Sequence, residues 1–117
     1  DLAGKGMFEL RPGVDKVFVR QAVLPREYAL GQNFPNPFNP VTTIQYSLPQ
    51  AGPVNLKIYD MAGQTVRHLV NRHQNGGTHQ VIWDGLDESG APTANGVYIY
   101  ELRAGEYRAL RKMLAIK

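Results

Sequence analysis

The sequence predicts an all-β protein, folded as a sandwich of antiparallel strands. Three observations carry that prediction. From residue 42 onward, apolar and polar residues alternate in short runs, the period of a strand with one buried face. These runs recur about every 8 to 15 residues and are separated by Gly, Pro, Asn and Asp, the spacing of a sandwich. No window of any length carries the helical period, and no repeat of solenoid length is visible.

The chain has 117 residues, enough for one domain or one small domain plus a piece of another. It opens on Asp1 with no charged-then-apolar leader, as expected of a mature form or an excised fragment. At 43% hydrophobic and 20% charged residues it should fold. With no cysteine it has no disulfide, thiolate metal ligand or cysteine nucleophile, so the core must hold the fold unaided. No run approaches the roughly 20 apolar residues that a membrane-spanning helix needs. The net charge is +3, and basic residues crowd the end, with Arg103, Arg108, Arg111, Lys112 and Lys117 against Glu106. They alternate with apolar residues and lack aromatic platforms between them, which reads as a solvated strand face and not as a nucleic-acid interface.

Residues 1–27 read as the tail of an upstream domain and a linker, with Val14–Val23 a possible extra edge strand ahead of the break at Pro25-Arg26-Glu27. The stretch Asn33–Pro40, N-F-P-N-P-F-N-P, holds three of the eight prolines and two of the four phenylalanines. Proline fixes φ and lacks an N–H, and it biases the residue before it towards extended geometry. A stiff irregular segment is expected here, carrying Phe34 and Phe38 as plugs for one end of the sandwich. Thr42–Leu48 follows as a strand with Ile44, Tyr46 and Leu48 inward. Pro49–Pro53 turns the chain, and Val54–Asp60 is the next strand, with Val54, Leu56 and Ile58 inward. Met61-Ala62-Gly63-Gln64 suits a hairpin turn with Gly63 left-handed, returning through Thr65–Val70 with Val66 and Leu69 packing. Asn71–Gly77 reads as a polar loop and Thr78–Trp83 as a strand with Val81 and Trp83 on one face. Asp84–Asn95 is a long polar loop. Gly96–Ala104, apolar on both faces until Glu101, reads as a central strand. Gly105-Glu106 turns the chain into a last strand over Tyr107–Ile116. Trp83 and the Tyr98, Tyr100, Leu102 face belong with the two phenylalanines in the core.

Little catalytic chemistry is visible. Ser47 and Ser89 are the only serines, and neither sits in a Gly-x-Ser-x-Gly elbow. His68, His73 and His79 are spaced five and six apart across a loop, which is not the spacing of a helical metal pair. Asp84–Gly90 resembles the start of a calcium loop but has Leu86 and Ser89 where an oxygen ligand and Gly belong. A tight turn with Asp side chains on backbone N–H groups is expected instead. Asp60, Asp84 and Glu101 show no sign of the pairing that glycoside hydrolysis requires. The chain is expected to be non-enzymatic, with no cofactor and no metal.

Several blocks together resemble one family. L-G-Q-N-F-P-N-P-F-N-P-V-T-T-I-Q-Y-S-L-P (Leu30–Pro49), V-N-L-K-I-Y-D-M-A-G-Q-T-V-R-H-L-V (Val54–Val70), H-Q-V-I-W-D-G-L-D-E-S-G (His79–Gly90), N-G-V-Y-I-Y-E-L-R-A-G (Asn95–Gly105) and R-K-M-L-A-I-K (Arg111–Lys117) resemble, in order, the type A C-terminal sorting domain of the type IX (Por) secretion system. The central block, from I-Y-D through W-D-G to G-V-Y, is also similar to the Ig-like domain of the flagellar hook-capping protein. The resemblance covers about Tyr28 to Lys117.

That resemblance implies an immunoglobulin-like β-sandwich of about seven antiparallel strands over residues 28–117. It implies a signal that sends a secreted protein across the outer membrane for cell-surface attachment or release. The implied partners are the type IX translocon, a shuttle protein and a sortase-like peptidase, reached by way of the periplasm. No nucleic acid and no membrane span are expected, and the domain should be monomeric. The sorting signal is placed on the last strand, at Arg111, Lys112, Met113, Leu114, Ala115, Ile116 and Lys117. Cleavage is placed within Val23–Gln32. A structural role falls to Phe34, Pro35, Asn36, Pro37, Phe38, Asn39 and Pro40, and to Trp83, Asp84, Gly85, Gly96 and Tyr98. The alternative is a structural or carbohydrate-binding accessory domain of a secreted hydrolase. A carbohydrate site would need exposed coplanar aromatics, for which Tyr28, Tyr46, Tyr59 and Tyr107 are the candidates.

Overall fold

A computed structural model describes residues 24–116. The possible strand at 14–23 and the last signal residue, Lys117, lie outside the described residues. Seven strands form an antiparallel two-layer sandwich: β1 (Ala29–Leu30), β2 (Thr42–Leu48), β3 (Gly52–Tyr59), β4 (Thr65–Gln74), β5 (Gly77–Trp83), β6 (Gly96–Ala104) and β7 (Tyr107–Ala115). One sheet has the order β1-β2-β5 and the other β4-β3-β6-β7. The pairs β1–β2, β3–β4 and β6–β7 are antiparallel neighbours within a sheet, the last two joined by tight turns. The links β2–β3, β4–β5 and β5–β6 each cross from one layer to the other, which builds the sandwich from local strands.

The alternation works as expected. Ile44, Tyr46 and Leu48 of β2 meet Val54, Leu56 and Ile58 of β3 in the space between the sheets, with Tyr100, Leu102 and Trp83. β6 is central, paired to β3 on one side and β7 on the other. The β3–β4 turn is closed by Asp60, whose Oδ1 accepts from the N–H groups of Ala62 and Gln64, and Gly63 takes φ 84°. Pro53 is tolerated in β3 because it lies at the strand's start, before the ladder to β6 begins at Val54.

Two expectations fail. β4 runs through Gln74, where a polar loop from Asn71 was expected, and pairs with β3 as far as Gly52. Ladder bonds come from the backbone, so Asn71, Arg72 and His73 can extend a strand, and charged residues suit an edge strand. Phe34 is not a core plug but is 77% exposed, while Phe38 is buried against Trp83 at a centroid distance of 5.4 Å. The cause is the ladder. Phe34 bridges Thr43, whose neighbour Thr42 points inward, so the Phe34 ring shares the outer face with Thr43.

Candidate functional site

The residues assigned to the signal do not act as one surface. β7 is the edge of the four-stranded sheet, and its pleat divides them. Met113 and Ala115 are buried in the core, Lys112 and Ile116 are exposed, and Leu114 is half-buried. Arg111 sits opposite the buried Tyr100, and its Nε donates to the Leu30 carbonyl at 2.6 Å, tying β7 to β1 in the other sheet. Along the outer face runs a mixed stripe in which Leu110 lies between Arg108 and Lys112, and Lys112, opposite Ile99, separates Leu110 from Leu114 and Val97.

The proline stretch and the last strand, far apart in sequence, are stitched together. The Phe38 N–H donates to the Leu114 carbonyl and the Ile116 N–H to the Phe38 carbonyl, each at 3.0 Å, in a short parallel bridge. The Leu114 N–H donates to Asn36 Oδ1 at 3.0 Å, and Gln32 Nε2 to the Lys112 carbonyl at 2.8 Å. Asn36 thus supplies from its side chain an acceptor within a segment that Pro35 and Pro37 keep out of the ladder. Buried Asn33 anchors the segment's start. Its N–H donates to Tyr100 Oη, and its Nδ2 donates to Thr42 Oγ1 and the Pro35 carbonyl. Tyr100 in turn donates to the Gly31 carbonyl at 2.7 Å. Gln32, Asn36 and Phe38 therefore line the edge of the last strand, so the backbone of β7 beyond Lys112 is already paired. By strand alternation, Arg108 and Leu110 are the β7 residues whose edge-side N–H and C=O have no partner among the described residues.

Beside the stripe lies a buried charge. Glu101 points outward from β6 yet is 2% exposed, covered by Arg108, by Arg103 at 3.3 Å and by the Tyr59 hydroxyl at 2.9 Å. Burial pushes its carboxyl up, but the hydrogen bonds from Arg108, Tyr59 and Arg103 outweigh it and hold it below the ordinary 4.5. A carboxylate with a lowered folded-state pKa contributes stability above its unfolded value and loses it as pH falls through the folded one. Stability from this cluster should therefore be full above about pH 4.5 and decline in more acidic solution. Arg108→Ala should cost about 1–2 kcal/mol in urea unfolding at neutral pH, because it strips a buried carboxylate of a partner. Glu101→Leu should fall within about 1 kcal/mol of the parent and flatten the acid limb, since it removes the desolvated charge itself.

The remaining candidates are structural in their contacts. Trp83 Nε1 donates to the Leu86 carbonyl, and its ring meets Phe38 and Tyr98. Asp84 accepts from the Leu86 N–H and pairs with Arg67 at 3.1 Å. Buried Gly85 takes φ 81°, and its carbonyl receives the Thr93 N–H and hydroxyl. Gly96 opens β6, and Tyr98, buried two residues on, donates to the Ala94 carbonyl at 2.7 Å. Asn39 and Pro40 are exposed. Asp87 accepts from the Ser89 hydroxyl and the Ser89 and Ala91 N–H groups, the tight turn expected in place of a cation loop. These hydrogen bonds, led by that of Ser89, hold its carboxyl below the ordinary range. The histidines stand apart in their contacts. His68 faces Glu88, His79 stacks on Tyr46, and His73 lies opposite Pro53. Among the described residues no three His, Asp or Glu side chains are placed to hold a metal.

The tyrosines named for a sugar site are differently engaged. Tyr46 is buried, and Tyr59 covers Glu101. Tyr28 and Tyr107, distant in sequence, stack on each other at 5.1 Å, a pairing that no local pattern shows.

The profile of the FlgD Ig-like domain matches residues 39–107, more than half of the chain. No curated protein sequence matches it significantly. Among solved structures, dimeric latent PorU from Porphyromonas gingivalis has a TM-score of 0.62 at 20% identity, over 81% of this chain and 10% of PorU. PorZ, an essential bacterial surface component of the type-IX secretion system of the same organism, has a TM-score of 0.52 at 21% identity, over 77% of this chain and 11% of PorZ. FlgD from Xanthomonas campestris, described for hook capping in flagellar assembly, has a TM-score of 0.53 at 23% identity, over 82% of this chain and 72% of FlgD. The chain thus spans about a tenth of the length of PorU and PorZ. At these identities the likeness establishes the fold.

Proposed function

The chain belongs to the FlgD Ig-like domain family, and from that premise we propose that it is a non-catalytic sorting domain of the type IX secretion system. It directs a secreted protein through the periplasm and the outer membrane to the cell surface or the medium. The translocon, a shuttle protein and a sortase-like peptidase are its partners. The observation that carries this reading is the coupling of the N-F-P-N-P-F-N-P stretch to β7. Phe38, Asn36 and Gln32 clamp the far half of the strand. Leu110, Lys112 and Leu114 then face outward from a rigid frame, a strand surface whose side chains a receptor can read. The fold shared with PorU and PorZ supports the association with that system.

The same geometry narrows the proposed cleavage. Leu30 is buried, and Gly31 donates to the Gln45 carbonyl, so β1 is a poor substrate. Residues 24–27 precede it, with Leu24, Arg26 and Glu27 exposed, and a peptidase reaches them without opening the sandwich.

Removing Arg111–Lys117 would take Met113 and Ala115 from the core and confuse misfolding with lost recognition. The test is a double substitution, Leu110→Glu with Lys112→Glu, in the chain fused to a periplasmic reporter in a host that has the system. Export to surface or medium should fall by about tenfold or more, the weight of one interface hot spot, with the thermal melt of the purified chain unchanged. Undiminished export of a folded double variant would sink the reading.

A further inference from the structure

The exposed face of the three-stranded sheet carries a feature that sorting does not use. Phe34 is held by both bonds of its bridge to Thr43, each 2.9 Å, so a rigid backbone presents its 77% exposed ring. Ile82, 62% exposed, flanks Thr43 on the other side. One step along β2, Gln45 lies opposite Gln80, and Gln80 Nε2 donates to Gln45 Oε1 at 3.0 Å. That bond leaves Gln45 Nε2 as a donor and Gln80 Oε1 as an acceptor facing solvent. Gln32 spends its amide N–H groups on Asn33 and Lys112, which leaves its Oε1 as an acceptor. Between these side chains lies a groove of about 470 Å³, lined by Gly31, Gln32, Phe34, Thr43, Gln45 and Gln80. That volume is within the range of small-ligand sites, roughly 300–1,000 Å³.

We propose that this groove binds a neutral polysaccharide, with a sugar ring stacked on Phe34 and its hydroxyls bonded to the amides of Gln45, Gln80 and Gln32. The charge balance selects the class. A fifth of the chain is charged, yet none of the six lining residues is. A charged ligand would lose hydration here and find no counter-charge. A peptide adding as a strand needs an open edge, but the groove floor is β2, paired on both sides by β1 and β5. Sugar hydroxyls both donate and accept, as the free amide groups do, and the ring's apolar face matches that of Phe34. The site differs from the tyrosine candidates and, apart from Gln32, uses none of the residues that clamp β7.

The test titrates the whole 117-residue chain with cellohexaose, laminarihexaose and mannohexaose, to about 10 mM because one aromatic and three amides support only weak affinity. Two-dimensional 1H–15N NMR, including side-chain amides, reads the binding. At least one oligosaccharide should shift the backbone signals of Phe34 and Thr43 and the side-chain signals of Gln45 and Gln80. Phe34→Ala should weaken that binding by about tenfold or more with an unchanged melt, since the ring is outside the core. Gln80→Ala should weaken it further. The proposal is overturned if no neutral hexasaccharide moves these signals, if Phe34→Ala binds as the parent does, or if an oligogalacturonate or an extended peptide binds the face more tightly.

Discussion

Trp83→Ala should lower the unfolding free energy by about 3–5 kcal/mol, the range for emptying a fully buried aromatic site. Trp83 has no exposed surface, and its ring is the meeting point of Phe38 from the proline stretch and Tyr98 from β6. Neither neighbour can collapse into the space easily. Phe38 is fixed by its bridge to Leu114 and Ile116, and Tyr98 by its bond to the Ala94 carbonyl. Trp83→Phe keeps most of the packing and loses the Nε1–H bond to Leu86, whose carbonyl still receives Arg67. It should cost only about 1–2 kcal/mol. Urea unfolding of the two variants checks both figures. Near-equal losses would mean that the indole hydrogen bond, and not the packing, holds this end of the sandwich.

Gly85→Ala should cost about 2–4 kcal/mol, from two separate causes. Its φ of 81° strains any residue with a side chain, and a Cβ there would stand 2.8 Å from the Pro40 carbonyl oxygen. Gly63 serves as the internal control. It has nearly the same φ, 84°, but open space around it, so Gly63→Ala should cost only about 1–2 kcal/mol. The excess at Gly85 measures the contact between the Asp84–Gly90 turn and the end of the proline stretch. Equal melting shifts for the two variants would show that the contact is worth nothing. The comparison also gives the W-D-G sequence a reason. Trp83 needs its hydrogen-bond acceptor one residue beyond Gly85, at Leu86, and only glycine allows the chain to turn there under Pro40.

Most strands were legible because alternation is a local property. Ile44, Tyr46 and Leu48, or Val54, Leu56 and Ile58, declare an inner face without reference to any partner. Gly63 and Gly105-Glu106 mark hairpins by their own chemistry. β4 was read too short because side-chain polarity says nothing of backbone pairing, and the partner that extends it, Gly52–Asn55, lies beyond the turn. The candidate surface was legible only in part. The placement on β7 came from resemblance, and no sequence period reveals that Gln32, Asn36 and Phe38 cover its edge, because those contacts span some 80 residues.

Phe34 and Phe38 show the same division most clearly. The prolines around them ensured an irregular segment bearing two aromatics, since a missing N–H and a fixed φ act within one residue of themselves. Which ring is buried depends on contacts that are not local. Thr43 draws Phe34 into a ladder that turns its ring to solvent, and Leu114 and Ile116 draw Phe38 down beside Trp83. Burial is a property of the partners that close over a residue. Those partners come together only when the two sheets pack, so two like residues four apart have opposite fates.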